Sequence, residues 1–483
     1  MSEKFSSATD FQLKRFVIYK ASSTGFKAKD GLDIKKLVES FEYVESIVHP
    51  FLMASATIVD STGLIGSLPI KGGERVVIQV MTNIGNTPIE YDMIVWQVSN
   101  RYAQQKQQTY SLGLISPEAL QNEITRVNVV MEGNPESIIK KVVKDKEYIG
   151  SEKEFFSEPS LLETKLIPTK TRPFDLAAQL AIKCVSPKAK FESTNSKNKN
   201  ETKQEIKGSG GFMFWETRRG YNFFAVDSLC ADDKSPLKSD RLKTKAWGEK
   251  KGEEYTERLG NIGDGADDRF TIKKSVFESE VDMLSSLRLG KYSSLIAFFN
   301  HSTGQYEEYV YKIKDSYENM AHLGGQDSIS LMPIQGVELS DYPSRMMSIY
   351  LDHETWSNDW EPASPEKKDG SDKPTKFADW QKYYMAQSIA RYKLLTNQKC
   401  SIVIPGNAQI CAGDRINVRL VSKLPDQDAK NEPWDRESSG QYLIQEVTHA
   451  YDAMTGTNGV FLTTLRLMRD SYGQKDKVSS HNQ

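Results

Sequence analysis

The chain has 483 residues, 38% of them hydrophobic and 27% charged, and a net charge of −2. That length exceeds a single compact core and predicts about three domains, while the near-balance of charge gives no general field for nucleic acid or an anionic membrane. The longest apolar stretches, such as Ser294–Phe299, fall far short of the ~20 residues that cross a bilayer, and the polar opening has no apolar signal core, so a protein made in a cytoplasm without stable membrane association is expected.

The first hundred residues read as strands. Thr57-Ile58-Val59 runs into a turn at Asp60-Ser61-Thr62-Gly63, and Leu68-Pro69-Ile70 leads to Gly72-Gly73, where glycines admit the positive φ of a tight connection. Arg75–Val80 and Met93–Val98 are rich in β-branched residues, and Tyr110, Leu112 and Leu114 alternate with small or polar ones. These segments predict a small antiparallel sheet or barrel.

Helix signals follow. Ser116-Pro117-Glu118 supplies a capping hydroxyl, a proline at the first helical position and an acid in the first turn, and Asn134-Pro135-Glu136 repeats the arrangement. Ile138, Ile139, Val142 and Val143 then form one stripe of an amphipathic helix, and a third helix starts near Pro173. Lys188–Ser209 is almost devoid of apolar residues and reads as a mobile loop; Ala231–Asp268 reads as a second polar insertion. Between them, the aromatic runs on either side of Arg219-Gly220 predict a β-hairpin, with its aromatics serving as core or subunit interface. A second hairpin is predicted from Tyr292–Asn300, the turn His301–Gly304 and Tyr306–Ile313. A helix is predicted over Phe377–Leu395, and strands over Ser401–Ile404, Asp414–Leu420, Gln441–Thr448 and Phe461–Met468, with turns at Pro425–Asp428 and Ser438–Gly440.

Reactive constellations are hard to find. No two of the six histidines stand at metal-ligand spacing, and Cys184, Cys230, Cys400 and Cys411 include no C-x-x-C pair, so buried free thiols are expected. Gly208-Ser209-Gly210-Gly211 precedes a strand and lacks the Lys-Ser/Thr of a phosphate loop. The acid pairs Glu307-Glu308, Asp232-Asp233 and Asp267-Asp268 lie in polar surroundings, and adjacency alone supplies neither the burial nor the like charge across a cleft that acid–base catalysis needs. The expectation is therefore a non-enzyme without catalytic residues, cofactor or metal. A cell-wall glycan hydrolase and a glycan- or receptor-binding protein using exposed aromatics stand as alternatives.

Four groups of segments resemble the central baseplate hub proteins of contractile-tailed bacteriophages, and through them the hub portion of type VI secretion spike proteins. The first is Phe41–Ile47 with Thr57–Asp60 and Leu68–Glu74; the second is Tyr110–Glu118 with Asn122, Glu123 and Arg126; the third is the aromatic hairpin Gly211–Asp227. The fourth joins Ile404–Asn407, Ala412–Ile416, Ser439–Ile444, Val447–His449 and Arg469–Ser471. The signature positions are Gly72, Gly73, Phe212, Phe214, Trp215, Glu216, Gly220, Tyr221, Pro405, Gly406, Asn407, Gly413, Asp414, Gly440, Tyr442 and His449, with Pro405-Gly406-Asn407 read as a turn needing φ > 0 at or beside the glycine. The polar insertions and the charged stretch Glu361–Lys376 depart from the pattern and blur the domain boundaries.

The resemblance implies an α+β, mainly β, chain: two tail-tube-type antiparallel β-barrels with an attached α/β region and polar insertions. The first barrel would span 1–108 and the mixed region 109–280, with polar loops near 188–209 and 231–268. The second, discontinuous barrel would take 281–320 and 399–474, around an inserted helical and loop region at 321–398 and before a flexible tail at 475–483. It further implies a homotrimer whose pseudo-sixfold ring joins the sixfold tail tube to the threefold central spike protein. A tail tube or tube-initiator protein and surrounding baseplate proteins would be neighbours, DNA and tape-measure protein would pass through, and the location would be the virion tail.

Overall fold

The computed structural model describes residues 7–20, 31–64, 70–82, 88–104, 107–161, 163–186, 190–195, 202–207, 210–232, 254–257, 268–279, 281–300, 304–325, 329–351, 377–423, 434–453 and 459–473. The expected features at Leu68-Pro69, His301–Thr303, Glu361–Lys376 and Pro425–Asp428 lie outside them, as does the tail from 475. Strands hold 47% of the chain and helices 19%, so the protein is mainly β.

The N-terminal strands are β1 (Phe11–Tyr19), β2 (Gly31–Asp33), β3 (Val38–Ser46), β4 (Met53–Asp60), β5 (Arg75–Thr82), β6 (Ile89–Gln104) and β7 (Gln107–Ile115), hydrogen-bonded in the order β3-β4-β7-β6-β5-β1-β2. Period-two alternation sets their register. Ala54, Ala56 and Ile58 of β4 and Tyr110, Leu112 and Leu114 of β7 turn inward to one core with Phe16, Ile18, Ile78 and Val95. The glycines before β5 take φ of +101° (Gly72) and +89° (Gly73), which lets both carboxylate oxygens of Glu74 accept from the backbone of Lys71 and Gly72.

The chain next builds α1 (Pro117–Ile124), β8 (Met131–Gly133), α2 (Pro135–Lys144), β9 (Phe155–Ser157), β10 (Thr164–Leu166) and α3 (Pro173–Lys183). Each helix starts at the proline that the sequence marks, where no amide hydrogen is missed. The expected side-chain caps do not form at Ser116 or Asn134; the Ser116 hydroxyl has a buried partner elsewhere. The apolar stripe of α2 packs with α3 into a second core.

The stretch expected as a mobile loop contains a two-stranded ribbon, β11 (Lys190–Asn195) with β12 (Thr202–Lys207), whose register sets Phe191 opposite Ile206. Backbone pairing needs no apolar core, which is why composition alone misreads such a segment. The aromatic hairpin follows as β13 (Phe212–Thr217) and β14 (Gly220–Ala225), running into α4 (Val226–Cys230).

The C-terminal part comprises β15 (Glu254–Glu257), β16 (Thr271–Ile272), β17 (Lys274–Ser279), α5 (Met283–Arg288), β18 (Ser293–Asn300), β19 (Gln305–Lys312), β20 (Arg345–Leu351), α6 (Phe377–Leu395), β21 (Gln398–Pro405), β22 (Arg415–Arg419), β23 (Gly440–Asp452) and β24 (Val460–Arg469). β15 falls within the stretch expected as a polar insertion, yet its Tyr255 is fully buried and it joins the main sheet. Ladders run β17-β21-β24-β23-β22-β15-β16. Because β16 and β17 are one segment interrupted only at Lys273, these ladders return on themselves around a third core.

The hairpin β18–β19 was expected to join β21–β24 in this unit. It pairs instead with β20 in a separate three-stranded sheet, and β15 and β17 take the places beside β22 and β21. The inward residues of β18, Ile296 and Phe298, need apolar cover, and Ala386, Ala390 and Leu394 of α6 provide it.

β23 links the two strand systems. It pairs with β22 over Gly440–Leu443, then with β3 over Glu446–Asp452. Its partner β24 follows from Leu443 to Asp452, with a bulge between Ile444 and Glu446. The open end of the β23–β24 hairpin thus lies in the C-terminal core, through Val447, Leu465 and Leu467, and its tip in the N-terminal core, through Tyr451 and Phe461.

Gly406 sits against that tip. It does not take a positive φ, contrary to the turn expectation; what it requires is room, since a Cβ there would stand 1.9 Å from the Phe461 ring. Gly406→Val should therefore abolish soluble folding or lower stability by about 3 kcal/mol, as overpacked cores do. Gly63→Ala, at φ +71° with nothing within 4 Å, should cost only about 1 kcal/mol; urea midpoints of the two variants check the difference.

Candidate functional site

The strongest concentration of buried polar chemistry lies where the N-terminal sheet, the aromatic hairpin and the C-terminal strands meet. Glu45 follows Phe41 and Tyr43 on the inward face of β3 and is 1% exposed. Its Oε1 accepts from the Tyr43 hydroxyl at 2.9 Å and the Arg218 amide at 2.7 Å, and its Oε2 accepts from the Ala412 amide at 3.1 Å. Burial raises its pKa, partly offset by those amides. One carboxylate therefore fastens three chain segments. Arg218 and Arg219, the two-residue loop between β13 and β14, extend the joint: Arg218 donates to the Ala408 carbonyl and Arg219 pairs with Asp414 at 2.9 Å.

Trp215 fills the space beside it. The ring is fully buried, its Nε1 donates to the Ala412 carbonyl at 3.0 Å, and it lies against Gly413, whose absent Cβ would be 2.5 Å away. Gly413 also has φ +90°, so the position excludes a side chain twice over.

Two further clusters mimic catalytic arrangements. In the first, Asp470 Oδ2 meets His322 Nδ1 at 2.8 Å and Arg391 at 2.6 Å, while its Oδ1 accepts from Leu323 N–H and the Ser471 hydroxyl. The other imidazole nitrogen of His322 faces the Tyr317 carbonyl at 2.7 Å, where a triad would need a nucleophile. Burial opposes the Asp470 charge, but the Arg391 guanidinium and His322 hold it far below the usual carboxylate range. In the second, Glu216 accepts from the Ser116 hydroxyl at 2.9 Å and from Lys153, which also binds Glu118 at 2.7 Å; Ser151 takes the remaining Glu118 oxygen. Burial pushes the Glu216 pKa up to about 7, with Glu118 adding to the shift and Lys153 opposing it. All four carboxylate oxygens have protein partners, so none is aimed at a substrate. An open cleft of about 500 Å³ lies elsewhere, between Thr9, Glu257, Thr271, Lys273 and Pro405.

The remaining signature residues divide by environment. Phe212, Phe214 and Tyr221 belong to the α/β core, with Phe214 stacked on Tyr221 at 5.7 Å. Gly220 has φ +134°, and a Cβ there would meet the Glu154 carbonyl at 2.4 Å. Pro405 ends β21, and Asn407 donates from Nδ2 to the Tyr255 hydroxyl. Gly440 opens β23 at φ +132°. The Tyr442 hydroxyl donates to the Ser438 carbonyl at 2.6 Å, and Arg469 lies over its ring. His449 is buried, its Nδ1 3.0 Å from the Thr463 hydroxyl, and burial drives its pKa down to about 3, so it is neutral. Gly413, Trp215 and Asp414 meet at the joint, whereas Gly72 and Gly73 lie apart from it. All four cysteines are buried free thiols. Among the described residues no group of His, Cys, Asp and Glu is placed to hold a metal ion, and no helix is long and apolar enough to cross a membrane.

Glu45 and Asp470 lie within segments that carry the sequence resemblance but had no role assigned there, and Arg391 and Lys153 were not singled out. For Glu45 a signal exists: strict alternation sets it inward behind Phe41 and Tyr43. Distant partners such as Arg391 and Lys153 carry no such mark. The aromatic hairpin offers the receptor-binding alternative no surface, because Phe212, Trp215, Tyr221, Phe223 and Phe224 are all buried.

No family model matches the sequence, and neither does any curated protein. Solved structures similar to this chain are phage tail proteins and proteins related to the VgrG of type VI secretion. A tail protein from Neisseria meningitidis has 11% identity, covers 95% of this chain and 97% of its own, and has a TM-score of 0.48. A 43 kDa tail protein of prophage MuSo2 from Shewanella oneidensis has 10% identity over 95% and 98%, at 0.46. A type VI secretion component of E. coli has 9% identity over 91% and 76%, at 0.38.

Two outcomes follow from this geometry. Glu45→Ala strands two buried amides and the Tyr43 hydroxyl, and should cost about 3 kcal/mol, measured as a lowered denaturant midpoint; Glu45→Gln, which keeps an acceptor, should cost less. For Glu216 the folded-state pKa of about 7 exceeds the ordinary 4.5, so the folded form binds the proton more tightly. Stability should rise as pH falls from 8 through 7 towards 4.5, by roughly 1.4 kcal/mol per unit of difference at most. Glu216→Gln should flatten that part of a melting-temperature profile.

Proposed function

We propose that this chain is the central hub of a contractile-tail baseplate, three copies of which close a ring around a channel. The observation that carries the reading is the presence, in one chain, of two mainly antiparallel strand systems with separate cores joined through one hairpin, the second including β15, which runs parallel to β22 and β16. In this reading they are two tail-tube-type β-barrels. One is built from β1–β7 and the tip of β23–β24; the other from β15–β17 and β21–β24. Three chains then offer six similar barrels, which is what a threefold spike below and a sixfold tube above require of an adaptor.

The segments Phe41–Ile47, Gly211–Asp227 and Ala412–Ile416, on which the sequence resemblance rests, also furnish Glu45, Trp215 and Gly413 of the joint. Their pattern thus marks the contacts that hold the barrels in fixed relation. The partners are the central spike, a tube or tube-initiator protein and the surrounding baseplate proteins, in the tail of a virion. DNA and tape-measure protein pass through the ring, and a chain near neutral charge offers them few phosphate anchors. The role is structural, with no step of bond making or breaking.

Native mass spectrometry of the chain, alone and with its spike, should give a species of three times the 54.6 kDa chain mass. Electron-microscopy averages down the axis should show six lobes. A monomer under both conditions would overturn the reading.

A further inference from the structure

Both ring nitrogens of His322 face oxygens that carry no hydrogen. Nδ1 lies 2.8 Å from Asp470 Oδ2, and Nε2 lies 2.7 Å from the Tyr317 carbonyl oxygen. A neutral imidazole has one N–H and one lone pair. In either tautomer it would satisfy one of these oxygens and press a lone pair against the other. Asp470 supplies no proton to relieve that clash: the same Oδ2 accepts from Arg391 at 2.6 Å, and this guanidinium outweighs burial and keeps the carboxyl ionised. Only the imidazolium, a donor at both nitrogens, fits the two contacts at once.

Two further features agree. The Tyr317 ring stacks on the imidazole, with centroids 4.0 Å apart and planes 25° from parallel, a placement that favours a cation. The charges in contact also balance. Arg391 pairs with Asp470 and, at 3.3 Å, with Asp227 of α4. Two carboxylates thus meet one guanidinium, and the imidazolium completes the neutral set that a buried cluster needs. Of the other ionisable groups around it, the Cys230 thiol of α4 is uncharged, because burial pushes its pKa up to about 12. Lys291, just before β18, is held by Asn397 at 2.7 Å, and burial pulls its pKa down to about 8. Glu318, beside Tyr317, is exposed.

The place of this ring gives its proton a mechanical role. Tyr317–Asn319 is a short 3-10 turn that follows β19, and the segment 317–324 carries the chain from the sheet β19-β18-β20 to the end of β24. There the Ala321 amide donates to Asp227, the Leu323 amide to Asp470 and the Gly324 amide to the Ser471 hydroxyl. We propose that His322 is a proton-operated clasp: with both ring protons it fastens this segment to Asp470, and loss of one proton turns an attraction into a repulsion and loosens it. An unfolded imidazole is half-protonated at about pH 6.5, and the two acceptors bind the second proton only in the fold. The contribution of the clasp is therefore complete below that pH and is lost as pH rises above it.

The test uses the full chain with ¹⁵N in its six histidines. At pH 7.5 a solid-state spectrum of the sedimented protein should contain a ring with both nitrogens at protonated shifts, and His322→Gln should remove it. His449, buried and neutral, gives the contrasting ring with one nitrogen of each kind. Hydrogen exchange is then followed from pH 7 to the pH at which the spectrum shows that ring neutral. Corrected for intrinsic rates, exchange at Ala321, Leu323 and Gly324 should rise roughly 10-fold relative to the amides of β4, and His322→Gln should abolish this dependence. Should that variant fail to fold, the spectrum and exchange of the unsubstituted chain decide, since exposed rings are neutral at pH 7.5. A spectrum in which every histidine is neutral at that pH overturns the doubly protonated ring. A segment equally protected on both sides of the titration overturns the clasp.

Discussion

Tyr451 lies between Phe41 and Phe461, with ring centroids 4.3 and 4.2 Å away and planes nearly parallel, and its hydroxyl meets that of Tyr91 at 2.9 Å. Two of these rings come from the tip of β23–β24 and two from the N-terminal strands. Stacked aromatics bury large areas with little conformational freedom left to lose. The hairpin that carries Tyr451 and Phe461 is also part of the C-terminal core, so this stack fixes the angle and spacing of both strand systems at once. Gly406 exists to leave it room.

Around the stack, polar groups set register where apolar packing would leave it loose. Glu45 could be replaced in volume by an apolar residue, but only a carboxylate accepts from a tyrosine and two amides of three separate segments. Asp470 plays the same part where β24 leaves the sheet, tying α6 through Arg391 and the 321–324 segment through the His322 ring and the Leu323 amide. Groups of this kind add little net stability, because burying charge is costly, but wrong arrangements leave them unpaired. Their work is to make one relative placement of the parts far better than its neighbours.

Much of the layout was legible in the sequence. Alternation revealed β4 and β7, prolines marked the starts of three helices, and the runs flanking Arg219-Gly220 gave the aromatic hairpin. Local chemistry failed where the deciding partner was remote. Ser116 has the form of a cap yet serves Glu216, a hundred residues on. Glu254–Glu257 looks like loop yet forms a strand around Tyr255, because β22 offers it a ladder. The hairpin β18–β19 has ordinary strand character, and nothing in it says whether β20 or β21 will lie alongside. The joint was half visible: Trp215, Gly413 and Asp414 stood out as a pattern, whereas the carboxylate that unites them did not.

The pairing of β3 with β23 spans some four hundred residues of chain, and this has a consequence for biogenesis. When the ribosome has released β1–β7, the free edge of β3 and the gap meant for Tyr451 and Phe461 are still open, and both stay open until almost the last strand has emerged. Contacts so distant in sequence form slowly, and an unpaired, alternating edge is a template for the wrong neighbour. The N-terminal sheet therefore waits, incomplete and adhesive, for β23 and β24 of its own chain. Synthesis rate and chaperone cover thus bear on the yield of assembled particles as directly as any contact in the finished molecule.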